Sequence, residues 1–156
     1  ARHLGRALGG ERDPPRRRPR PGGEAVRQPA PFVEHAQVLL LGGITFGGFN
    51  VADIHALHER LAMPVLVLTR KRPRFGVIRD TLLANVPGGA RKWALIEKAG
   101  DMEPCAKLWV QRAGLELEQA AQVIGDLTIH GKLPEPVRVA HLIAGAYVDG
   151  LSRGRA

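Results

Sequence analysis

The spacing of apolar and polar positions divides the chain near residue 32. Before it, Arg, Pro and Gly alternate with almost no apolar periodicity, and after it short apolar runs alternate with stretches of helical spacing. Val38–Leu41 is a continuous apolar run, as expected of a strand covered on both faces. A turn rich in glycine follows (Gly42, Gly43, Gly47, Gly48), after which Asn50 is placed as an N-cap and Ile54, Leu57 and Leu61 mark a first helix. Pro64 closes the connection and Val65–Leu68 reads as a second strand, which makes a βαβ unit of a parallel sheet. Pro73 opens the next helix, whose buried stripe is Phe75, Ile78, Leu82 and Val86, and Pro87, Gly88 and Gly89 stop it. Lys92–Ile96 and Lys107–Gln111 read as two short antiparallel strands, with Trp93 and Trp109 over the core. A helix over Leu117–Ile124 and another from about Pro136, turning Val137, Ala140, Ala144 and Val148 inward, complete an α/β pattern.

Charge sharpens the division. The chain carries +8, of which residues 1–31, with eight Arg against three acids, hold +5. Such a segment buries too little apolar surface to offset its ordering entropy, so residues 1–32 are expected to be a disordered tail and residues 33–156 one α/β domain. A cationic tail attracts nucleic acid or acidic surfaces, or serves as a solvated linker. No run of about 18 apolar residues is present, so neither a signal peptide nor a membrane span is expected. Cys105 is the single cysteine, which excludes an intrachain disulfide and a cysteine-based zinc site and suits a reducing, cytoplasmic setting.

A strand that ends in glycines and leads to a helix N-terminus is a natural anion site, although a bare structural turn has the same signature. The glycines lack the Lys-Ser or Lys-Thr of a phosphate loop and the spacing of a dinucleotide fingerprint. Asp53, in the first turn of that helix, is either a capping acid or a ligand for a divalent metal. His55, His58 and Glu59 have poor zinc spacing and read as a solvated face. Arg70, Lys71, Arg72 and Arg74 fall at the same end of the sheet as the glycines, where they contact phosphate or solubilise the surface. Glu135 and Arg138 are spaced as an ion pair, and His141 shares the face of Val137 as a core histidine. No Ser-His-Asp or paired-carboxylate arrangement is recognisable from spacing.

The strings LLLGGITFGGFNVADI, MPVLVLTRKRP, LWVQRAGLELEQAA, HGKLPEPVRVAHLIA and GLSRGRA, in this order, closely resemble an archaeal family related to endonuclease V and called endonuclease dU. The resemblance spans about residues 33 to 155. It implies a ribonuclease H-like (endonuclease V-like) mixed sheet flanked by helices and an endonuclease that uses Mg²⁺ or Mn²⁺. The implied substrate is DNA, or RNA in its place, cut at deaminated bases such as uracil, with the flipped base near the glycine loop. It puts forward Asp53 and Glu135 as catalytic, Asp53 also as the metal contact. Gly43, Thr45, Gly47, Gly48, Asn50, Arg70, Lys71, Arg72, Arg74 and Arg138 are put forward as nucleic-acid contacts. Two departures stand out. Endonuclease V carries an Asp where this chain has Gly42, and the Arg/Pro/Gly tail occupies the place of the family's first strands. A truncated or diverged member is therefore expected, either an impaired enzyme or a non-catalytic nucleic-acid-binding remnant.

Overall fold

A computed structural model of the protein describes residues 35–149, so the expected tail and the boundary near residue 32 lie outside the described residues. The elements run β1 (Leu39–Leu41), β2 (Thr45–Phe46), β3 (Asn50–Val51), α1 (Ile54–Leu61), β4 (Val65–Thr69), α2 (Phe75–Asn85), α3 (Gly89–Lys98), β5 (Glu103–Cys105), β6 (Leu108–Ala113), α4 (Leu117–Leu127) and α5 (Glu135–Asp149).

Four strands form one mixed sheet in the order β1-β4-β6-β5, while β2 and β3 make a separate hairpin. β1 and β4 are parallel, with Leu39 opposite Val65, as a strand-helix-strand unit requires. β6 is antiparallel to both β4 and β5. Side chains alternate across a strand, so β4 feeds both faces of the sheet. Leu66 and Leu68 pack with Val110, Ala120, Ile124 and Val137 on the side of α4 and α5. Val65 and Val67 pack with Ala52, Ile54, Ala99 and Ala113 on the side of α1. α1 has only 8 residues and is too short to persist alone; the fully buried Ile54 anchors it, a burial that contributes roughly 1.5–3 kcal/mol.

The structure corrects the sequence reading at five places. Asn50 is in β3, and Asp53 is the true N-cap of α1, because the glycine segment folds as a hairpin before the helix begins. Lys92–Ile96 is helical: Trp93, Ile96 and Ala99 recur at i, i+3 and i+6 and face inward, and this period outweighs the local alternation. The strand that pairs with β6 is instead β5. β1 is half-buried at the sheet edge, so its apolar run does not signal cover on both faces. On α5, Val137 is buried but Ala140 and Ala144 are exposed, and so is His141, which is no core histidine. The side chain of Val148 lies outside the described ones.

No helix among the described residues is long and apolar enough to cross a membrane.

Candidate nucleic-acid interface

Parallel β1 and β4 end side by side, and α5 passes over those ends. Between them lies a cleft of about 300 Å³ lined by Leu40, Gly42, Thr69, Arg70, Val137 and His141. Arg70 is also in the wall of a neighbouring basin of about 360 Å³, together with His130, Lys132 and Arg138. Three permanent cations and a histidine thus converge on one rim, and among the described residues neither Arg70 nor Lys132 has a carboxylate partner. Arg138 is held in place by Glu135, whose Oε2 accepts from its Nε at 2.8 Å and from its Nη2 at 2.6 Å. That contact holds the Glu135 carboxyl below the usual carboxylate range and raises the Arg138 guanidinium. Glu135 Oε1 is buried, lies 3.7 Å from His130 Nδ1 and has no hydrogen-bond partner among the described residues. The spacing had indicated this ion pair.

The remaining basic residues behave differently from one another. The Arg72 guanidinium stacks over the Trp109 ring at 5.3 Å, which fixes its direction. Lys71 and Arg74 are exposed, and Arg74 stands at the N-cap of α2 without a capping side-chain bond. Thr69 Oγ1 donates to Lys71 O at 3.0 Å, which ties the backbone that carries Arg70.

Asp53 belongs to the other face of the sheet, since its neighbours Ala52 and Ile54 pack with Val65 and Val67. Its Oδ1 accepts the Ala56 N–H at 3.0 Å, and Lys98 Nζ donates to Oδ1 at 3.1 Å and to Oδ2 at 2.8 Å. The Lys98 ammonium, and then the Ala56 N–H, hold its carboxyl below the usual range. The anion site at the start of α1 is thereby filled by the protein's own carboxylate. Asp53 and Glu135 are on opposite sides of the sheet, and among the described residues no group of three His, Cys, Asp or Glu is placed to hold a metal.

His55 and His58 are not a solvated face. His55 Nε2 donates to Lys98 O at 3.1 Å and His58 Nδ1 to Met63 O at 2.8 Å, so both tie α1 to its surroundings. The His58 ring sits on Gly114, where a Cβ would collide with it.

The glycine loop is divided by the hairpin. Gly43 and Thr45 line a third cavity, on the α1 side, whereas Gly47, Gly48 and Asn50 are exposed at the hairpin tip, where Asn50 Nδ2 donates to Gly47 O at 3.4 Å. Thr69 lines both this cavity and the cleft. Sequence reasoning missed Thr69, His130, Lys132 and Gln111. The signal for the last was a lone Gln in the otherwise apolar stretch LWVQ.

A family model described as endonuclease dU matches residues 25–148. The chain belongs to the endonuclease dU family. A UPF0215 protein of Deinococcus radiodurans is 56% identical over 122 residues, a match that covers 78% of this chain and 63% of that one. A UPF0215 protein of Methanosarcina barkeri is 40% identical over 127 residues, with 79% and 65% covered. The chain therefore spans less than two thirds of the length of these curated relatives. A crystal structure of a protein of unknown function from Archaeoglobus fulgidus superposes with a TM-score of 0.73 at 31% identity, covering 76% of this chain and 68% of that chain. The endonuclease dU match runs from before β1 through the hairpin and into α5, so the cleft and the cation rim lie inside it.

Proposed function

We propose that this chain engages DNA that contains deaminated bases such as uracil, as part of an endonuclease with a ribonuclease H-like sheet. The observation that carries the reading is the position of Arg70. It stands at the shared end of two parallel strands, common to two adjoining basins and grouped with Lys132 and Arg138, in a member of a family named for endonuclease activity. Phosphate oxygens are the natural partners of such a rim, because guanidinium groups bind them in a fork and ammonium groups as point charges. Arg72 and the exposed Lys71 and Arg74 extend the basic surface, and the exposed hairpin tip with Gly47, Gly48 and Asn50 offers further backbone donors.

Cleavage that depends on Mg²⁺ or Mn²⁺ needs several oxygen ligands around the ion. The described carboxylates do not provide them: Asp53 is bound to Lys98, Glu135 to Arg138, and Gly42 contributes no side chain to the cleft. In a working nuclease the ion is held by groups outside the described residues. The same observation favours a second reading, a nucleic-acid-binding member without catalysis of its own.

The test is a binding titration against a labelled oligonucleotide with one deoxyuridine, run over a range of salt. Arg70→Glu is expected to weaken binding for every sequence and to reduce the salt slope by about one. Unchanged affinity would remove the rim from the interface. Incubation with Mg²⁺ or Mn²⁺ beside a chelator control separates the two readings. Nicking by the chain that the chelator abolishes supports the enzyme, whereas binding indifferent to chelator and without nicking supports the binder.

A further inference from the structure

Under the hairpin, on the α1 side of the sheet, a cavity of about 120 Å³ is walled by Ile44, Val67, Phe75, Ile78, Ile96 and Met102. Beside Thr45 and Thr69, Gln111 is a buried polar part of the wall, 1% exposed and opposite Val67 in the ladder, so the two point to the same face. Gln111 Nε2 donates to Gly100 O at 2.5 Å. This bond fixes which way the amide faces, since the flipped amide would set two oxygens against each other. Oε1 is left buried with no partner among the described residues. A fixed acceptor in a mainly apolar wall, whose other polar side chains are Thr45 and Thr69, asks for one donor on a planar, largely apolar body.

We propose that this cavity takes the ring of a deaminated nucleobase and that Gln111 Oε1 accepts its ring N–H. An apolar cavity of roughly 150 Å³ holds a benzene ring, so the space here is on the scale of a single six-membered ring. The polarity is the discriminating feature. Cytosine presents a lone pair at N3, which would face the lone pairs of Oε1, whereas its deamination product uracil presents N3–H. A single acceptor thus reads the change that deamination makes on the pairing edge. Gly43 and Thr45 complete the wall, so the glycine loop and Gln111 share one ligand. Oε1 is screened from water, and a ring that reaches it displaces a lining side chain, for which the unbranched Met102 is suited.

The inference takes the identity of the ring from the proposed function, while its geometry is independent of the cation rim. The test uses the full chain, ¹⁵N-labelled, titrated with 2′-deoxyuridine, 2′-deoxycytidine and N3-methyl-2′-deoxyuridine, with the Gln111 side-chain amide signals as readout. Deoxyuridine is expected to shift them, and the other two to bind about tenfold more weakly or less, since each lacks the donor. Gln111→Leu should abolish the preference for deoxyuridine over deoxycytidine. No shift at Gln111, or equal binding of the N3-methyl compound, overturns the proposal. That comparison on the native chain decides the matter even where Gln111→Leu fails to fold. If deoxyuridine shifts Gln111 but Arg70→Glu leaves oligonucleotide affinity unchanged, the cavity stands and the cation rim falls.

Discussion

Both oxygens of Asp53 are engaged inside the fold, one by the Ala56 N–H and both by Lys98. Because its folded pKa lies below the ordinary value, the contact stabilises fully above the carboxylate range and is lost as pH falls through and below it. Asn still accepts the backbone bond, so Asp53→Asn isolates the charge. With Lys98 half exposed, the expected loss at neutral pH is under about 1 kcal/mol, vanishing well below about pH 4. Urea midpoints of both proteins across that range check this, and a difference that persists in acid would show that Lys98 is not its source. The acid and its place near a helix start were legible in the sequence, but a partner 45 residues away was not. Glu135 and Arg138 were legible because three residues along a helix bring side chains together. Gln111 was not, since only the register with β4 turns it toward Val67 and the cavity.

α2 and α3 meet so closely that a Cβ on Gly89 would overlap the Leu82 carbonyl, which is backbone and has no rotamer to escape into. Gly89→Ala is expected to destabilise by about 1–3 kcal/mol, read as a lowered urea midpoint with unchanged slope. A neutral outcome would mean that the two helices slide apart freely. This contact also explains the misreading of Lys92–Ile96: Gly88 and Gly89 were read as a stop, and they are the N-cap and first residue of the next helix. Phe75 and Trp93 then meet edge to face at 6.4 Å, a pairing between α2 and α3 that no local pattern contains. The βαβ unit was legible because β4 is buried on both faces and reads as an unbroken apolar run. β1 reads the same way yet, among the described residues, has sheet on one side only, which sequence alone does not distinguish.

At the scale of the whole molecule the sheet separates two kinds of chemistry. Cations gather on the α5 side, the apolar cavity with its single amide lies on the α1 side, and the end of β4 at Thr69 borders both. The common direction of two parallel strands made the first legible; the second depends on a hairpin that the glycines concealed. The edge position of β1 has a consequence that a single amide reports. Leu39 N–H donates to Pro64 O at 2.9 Å, and alternate residues of a parallel strand address the same neighbour, so Leu40 N–H points away from the sheet. In this chain Leu40 should exchange its amide hydrogen with deuterated solvent far faster than Leu39. Where another strand lies along β1, in a longer relative or a second copy, the two rates should converge, so the ratio of two neighbouring amides tells where the sheet ends.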